Sequence, residues 1–159
     1  MLHGEGEFGR MRRQAVILGL LACAFLGRVL GQVTVVLFGP NWLPPMQDWY
    51  SGLLPYSILL PIQVALLALQ VRISWDLWRG SGFFTKRYPR FGSRLRWFSY
   101  GYFALMVVRY LITMAFFPER RWLGSGTIPI LFHWVLAAYL FAWSRFHNPS
   151  NGGLHADTP

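Results

Sequence analysis

Five side chains able to bind an ion or share a proton lie inside otherwise apolar stretches of this chain: Arg28, Gln32, Gln63, Arg109 and His133. Arg109 poses the problem most sharply. It stands in the middle of LMVVRYLIT, residues 105–113, and no acidic residue occurs between Asp76 and Glu119. Arginine stays charged at any relevant pH, and a buried cation without a partner is costly. Arg28 raises the same question in FLGRVLGQV, residues 25–33, with Gln32 one turn away on the same helical face.

Planar guanidinium groups suit bidentate capture of carboxylate or phosphate. The set therefore has the chemistry to hold a lipid phosphate, a substrate carboxylate, a quinone carbonyl or haem propionates. Two other readings stay open. The groups could bond only to one another, to freed backbone carbonyls and to water, fixing helix register. An acidic residue from a partner subunit could also neutralise them.

His133 would suit metal or haem iron, but a haem between helices commonly takes two axial ligands. No other apolar run contains a histidine, and His3, His147 and His155 read as parts of polar tails. A hydrogen-bonding or pH-responsive role is the plainer expectation. The sequence specifies no cofactor. It holds no paired catalytic carboxylates, no G-x-S-x-G, no H-E-x-x-H and no Cys/His metal spacing. Nothing in it marks an enzyme.

These side chains need elements to position them, and composition says what kind. Of the 159 residues, 54% are hydrophobic, 18% aromatic and only 13% charged. A soluble domain carries about 25% charged residues. A spanning helix needs roughly 20 apolar residues, and four such runs occur: 14–38, 52–71, 97–117 and 127–144. The expected fold is an all-α membrane protein, an antiparallel bundle of four transmembrane helices forming one domain over 14–145. Residues 1–13 form an N-terminal segment, and 146–159 a polar tail expected to be disordered.

Prolines in FGPNWLPPMQDWY (38–50) forbid continuation of the first run, and Trp42, Trp49 and Tyr50 suit a membrane interface. FFPERRW (116–122) closes the third run. LLAC (20–23) resembles a lipoprotein cleavage site, but Leu21 is large for that motif and the apolar run continues well past Cys23, so cleavage is not expected.

The net charge of +9 is unevenly placed. Arg10, Arg12 and Arg13 precede the first run. Arg72, Arg79, Lys86, Arg87, Arg90, Arg94 and Arg96 lie between the second and third, and Arg145 follows the fourth. The opposite side has Arg120 and Arg121. The positive-inside rule then puts both termini and the loop 72–96 in the cytoplasm, of a cell membrane of the bacterial inner-membrane type. Lys86, Arg87, Arg90, Arg94 and Arg96, interleaved with aromatics, are expected to contact anionic lipid headgroups. A loop tethered to the bilayer at both ends favours lipid or protein over nucleic acid.

On these spans, at ~1.5 Å per residue, Arg28 and Arg109 fall about 3 Å outside the midplane, His133 about 4–5 Å and Gln63 within about 2 Å. Four helices would each bring a hydrogen-bonding group to one level, with Tyr56 and Gln70 extending the polar face of the second. Pro55 falls in the first turn of that helix, where proline is tolerated, while Pro61 should kink it. The first span repeats small residues every fourth position: Ala15, Gly19, Cys23, Gly27 and Gly31. Such a row favours close helix packing in lipid, either within the bundle or as the seam of a homodimer or larger complex.

The expected function is that of a small integral membrane protein, an accessory subunit or a binder of a lipophilic anion at this layer. A small transporter using the layer as its substrate site is one alternative, and a quinone- or haem-linked redox subunit another.

Overall fold

A computed structural model describes residues 2–49, 55–116 and 127–148. Tyr50, the close of the third run with Arg120 and Arg121, the tail from 149 with His155, and the side chain of His3 lie outside the described residues. The described residues are all-helical, with α1 Leu2–Phe38, α2 Met46–Trp49, α3 Tyr56–Arg79, α4 Pro89–Phe116 and α5 Thr127–His147. Four of these, α1, α3, α4 and α5, are long and apolar enough to cross a membrane. Leu20, Leu30, Val64, Val71, Leu105, Val108 and Leu111, all at least half exposed, form an outward apolar surface suited to lipid.

The packing is less closed than the expected bundle. α4 lies along α5, α5 along α1, and α1 along α3; α3 and α4 share no extensive packing. The core joins Ala15, Leu18 and Ala22 of α1, Ile73 and Leu77 of α3, and Tyr139, Ala142 and Phe146 of α5. The Tyr139 hydroxyl donates to the Gln70 carbonyl at 2.9 Å, tying α5 to α3. Gln14 donates to the Ala142 carbonyl, tying α1 to α5.

Helix boundaries depart from the hydropathy reading in one systematic way. α3 runs past Val71 to Arg79, because Arg72 and Asp76 pair at i,i+4 (3.2 Å) rather than breaking it. Gly80, at φ 67, ends it in a left-handed C-cap, its N–H bonding the Leu77 carbonyl. α4 begins at Pro89, a residue pre-set for the first helical turn. The loop expected over 72–96 is thus two helix ends joined by residues 80–88. A 3₁₀ turn, Phe83–Thr85, sits within that connection. It is held by the buried Asp76, whose carboxylate accepts the Phe84 N–H at 3.4 Å. Pro55 is the N-cap of α3 rather than part of its first turn, and Pro61 lies inside a helix that continues through it.

Within the chain, the small-residue row is not the packing face of α1. The buried positions are Ala15, Leu18, Ala22, Phe25, Arg28, Val29, Gln32 and Val35, one stripe at three- and four-residue spacing. An every-fourth row advances about 40° per step on a helix of 3.6 residues per turn, so it winds off that face. Gly19 and Gly27 have nothing within 4 Å of a would-be Cβ, and Cys23 is exposed. Gly19 and Cys23, with Ala15 and Ala22, border a shallow apolar groove of about 380 Å³ between α1 and α3. Only Gly31 is used for close approach: a Cβ there would lie 2.6 Å from the Trp49 ring.

Candidate functional site

Arg28 and Gln32 lie one turn apart on the buried face of α1, 7% and 0% exposed. The Gln63 side-chain amide of α3 donates to the Gln32 side-chain carbonyl at 3.3 Å, and Gln63 is itself 4% exposed. Three of the five expected residues therefore form one buried polar cluster.

The segment after α1, whose Trp49 is expected at the membrane interface, instead completes this cluster. α2 folds back so that Trp49, buried at 8% exposure, seats its ring on Gly31. The Trp49 indole N–H donates to the Pro44 carbonyl at 3.0 Å. Its own backbone carbonyl accepts from Arg28 Nη2 at 3.1 Å. The carbonyl expected near Pro61 is thus supplied by α2. Trp42, by contrast, is 78% exposed, as suits an interface. The ring of Phe132, on α5, lies 5.8 Å from the Arg28 guanidinium carbon, a cation–π approach.

His133 and Arg109 stand to the other side. His133 Nδ1 meets the Pro129 carbonyl in its own helix. Its ring lies 6.0 Å from that of Tyr102 on α4. Arg109 is half-buried on α4. Among the described residues its side chain makes no hydrogen bond or ion pair, and nothing joins it directly to Arg28, Gln32 or Gln63. Both guanidinium groups are within electrostatic reach of the His133 ring. The five residues thus form a buried trio, a histidine at its edge, and a second cation beyond.

The trio is incompletely bonded. Arg28 Nε, Gln32 Nε2, Gln63 Oε1 and the Tyr56 hydroxyl are all buried with no hydrogen-bond partner among the described residues. Three of those four atoms can donate, so the deficit is of acceptors. Each unsatisfied buried group costs about 1–3 kcal/mol, more where charged.

At the basic end of the helices, Lys86, Arg90 and Arg94 are exposed, as headgroup contacts require. Arg87 pairs with Glu7 at 3.2 Å. Arg96 is half-buried and donates to the Asn148 carbonyl at 3.4 Å, completing the C-terminal end of α5. It is a helix cap more than a lipid contact. His147, read as part of the tail, is instead 3% exposed in the last turn of α5. Its Nδ1 accepts the Tyr88 N–H at 3.2 Å, and its ring packs edge-on against Phe91. The only sequence signal for this was the apolar-aromatic run FAWSRF leading into it.

No protein-family model, curated protein or solved structure matches this sequence.

Proposed function

We propose that this chain is a non-enzymatic integral membrane protein that binds a lipophilic anion at the Arg28–Gln32–Gln63 cluster, as a lipid-binding or accessory subunit of a cell membrane of the bacterial inner-membrane type. The observation that carries this reading is the buried Arg28, with one described hydrogen bond, beside amide and hydroxyl atoms that have none. Such a cluster is donor-rich, cationic and lies at membrane depth. Its complement is an acceptor group with negative charge, a phosphate or carboxylate, on a molecule soluble in lipid. Arg109 and His133 would add a second cation and a hydrogen-bonding ring on the far side of the guest.

The antiparallel arrangement and cytoplasmic termini belong to the same proposal. Support comes from residue pairings: Gln14 with Ala142 and Arg28 with Phe132 across α1 and α5, Arg12 with Trp78 and Gln32 with Gln63 across α1 and α3. In each pair of helices, one numbering rises as the other falls. Arg10, Arg13, Arg87 and Arg145 consequently gather at one end, the end that the positive-inside rule assigns to the cytoplasm.

The test is native mass spectrometry of the full chain from mild detergent. The expected result is a co-purifying amphiphilic anion on the wild type, lost in Arg28→Gln but kept in Arg94→Gln. A bare wild-type mass, or a set of wild-type adducts that Arg28→Gln leaves entirely unchanged, refutes the reading.

A further inference from the structure

The basic end of the helices holds a second feature, independent of the Arg28 cluster. Arg10 and Arg13 of α1, Arg87 of the connection before α4, and Arg145 of α5 surround a crevice of about 290 Å³. Its apolar wall is formed by Met11, Ile17 and Phe146. Three separate segments therefore bring four guanidinium groups to one place. Glu7 pairs with Arg87 at 3.2 Å, and the Arg87 guanidinium carbon lies 5.2 Å from the centre of the Phe146 ring, so Arg87 is held in position. Arg10, Arg13 and Arg145 are exposed and have no carboxylate partner among the described residues. Gln14, which also lines the crevice, is already committed to the Ala142 carbonyl.

Repulsion among like charges should drive these side chains apart unless something negative lies between them. A single carboxylate leaves most of the excess unmatched. A phosphate group offers several strong acceptor oxygens to converging guanidinium forks. The half-apolar wall favours a ligand whose charged end joins a greasy one. Ile17, 39% exposed, continues that wall toward the apolar flank of α1.

We infer that the crevice among Arg10, Arg13, Arg87 and Arg145 is a specific binding site for a phosphate-bearing anion of two or more negative charges, with a diphosphate phospholipid headgroup as its fullest match. It differs from diffuse attraction to a charged surface because it needs these four positions and not simply the net charge of this end.

Two charge-matched double variants test this in the full-length protein. Arg13→Gln with Arg145→Gln removes two crevice cations. Arg90→Gln with Arg94→Gln removes two exposed cations that do not line it. All four positions are exposed, so both variants should fold, and thermal midpoints check that they do. Cardiolipin is titrated against each in mild detergent and followed by native mass spectrometry, with phosphatidylcholine as the zwitterionic control. At about fivefold per surface cation, the crevice pair should weaken cardiolipin binding about 30-fold and the control pair less than about threefold. Arg13→Lys with Arg145→Lys, which keeps the charge, should recover most of the loss. Millimolar inorganic phosphate separates the sources: displacement of cardiolipin assigns the crevice to phosphate compounds generally, and persistence assigns it to the lipid. Equal losses in the two Gln pairs, or cardiolipin binding no tighter than phosphatidylcholine, overturns the inference. Arg13→Gln with Arg145→Gln should leave any Arg28-dependent adduct in place, so failure here and failure of the intramembrane site are read separately.

Discussion

Replacing Arg28 by methionine gives opposite signs of stability change depending on whether the cation is compensated. The described protein supplies one charge-assisted hydrogen bond, to the Trp49 carbonyl at 3.1 Å, worth about 1.5–3 kcal/mol. Against it stand the desolvation of a guanidinium that is 7% exposed, several kcal/mol even after relaxation, and a buried Nε without a partner, a further ~1–3 kcal/mol. If protein groups alone hold Arg28, a methionine of similar length should be neutral or stabilise by up to about 4 kcal/mol. If a bound anion completes the site, removing the cation breaks a buried pair and destabilises by about 3–5 kcal/mol. For a chain of this size that is a fall on the order of 10 °C in thermal midpoint. The assay is thermal unfolding of wild type and Arg28→Met in mild detergent, before and after exhaustive delipidation. The expected result is a lower midpoint in the variant before delipidation, and a gap that shrinks once the guest is stripped. A variant more stable than wild type in both states would refute the reasoning.

Other expectations follow from particular contacts. Gly31→Ala should lower the thermal midpoint, by about 1–3 kcal/mol of overpacking against Trp49, whereas Gly27→Ala, with open space around it, should raise it by up to about 1 kcal/mol. Gly92→Val should loosen α4 from α5, since a Cβ there would lie 2.5 Å from the His147 Cβ; a disulfide crosslink engineered between the two helices should then form more slowly. Tyr139→Phe removes the bond to the Gln70 carbonyl and should cost about 1 kcal/mol in a thermal melt. In a Cys23→Ala background, Ser81→Cys should label only from the cytoplasmic side and Asn41→Cys only from the opposite side; the reverse pattern would invert the proposed topology.

The four spanning helices were legible because length and apolarity are properties of the chain itself. Their ends were less so. Arg72, Asp76 and Arg79 look like loop residues one at a time, yet an i,i+4 ion pair and a glycine cap make them the last turns of α3. The polar layer was legible for Arg28, Gln32 and Gln63 because helix depth can be counted from span centres. Arg109, counted to the same level, does not join the cluster, since α4 packs on α5 and not on α1 or α3. Depth is a one-dimensional property, whereas neighbour order around the assembly depends on tertiary contacts. The same limit applied to the small-residue row, whose spacing drifts around the helix while the buried face keeps its three- and four-residue spacing. Two features needed the fold itself: the return of Trp49 onto Gly31, and the burial of His147 under Tyr88 and Phe91. Both depend on short segments folding back across a helix end; hydropathy is silent on the first, and for the second offers only the apolar-aromatic run before His147.

The most direct test of the intramembrane site is a crystal structure grown in a lipidic mesophase from protein extracted without detergent. The account predicts non-protein density with a phosphate or carboxylate within hydrogen-bond distance of Arg28 Nε. An Arg28 side chain turned out to the headgroups, or one whose every donor meets water or protein, would contradict it.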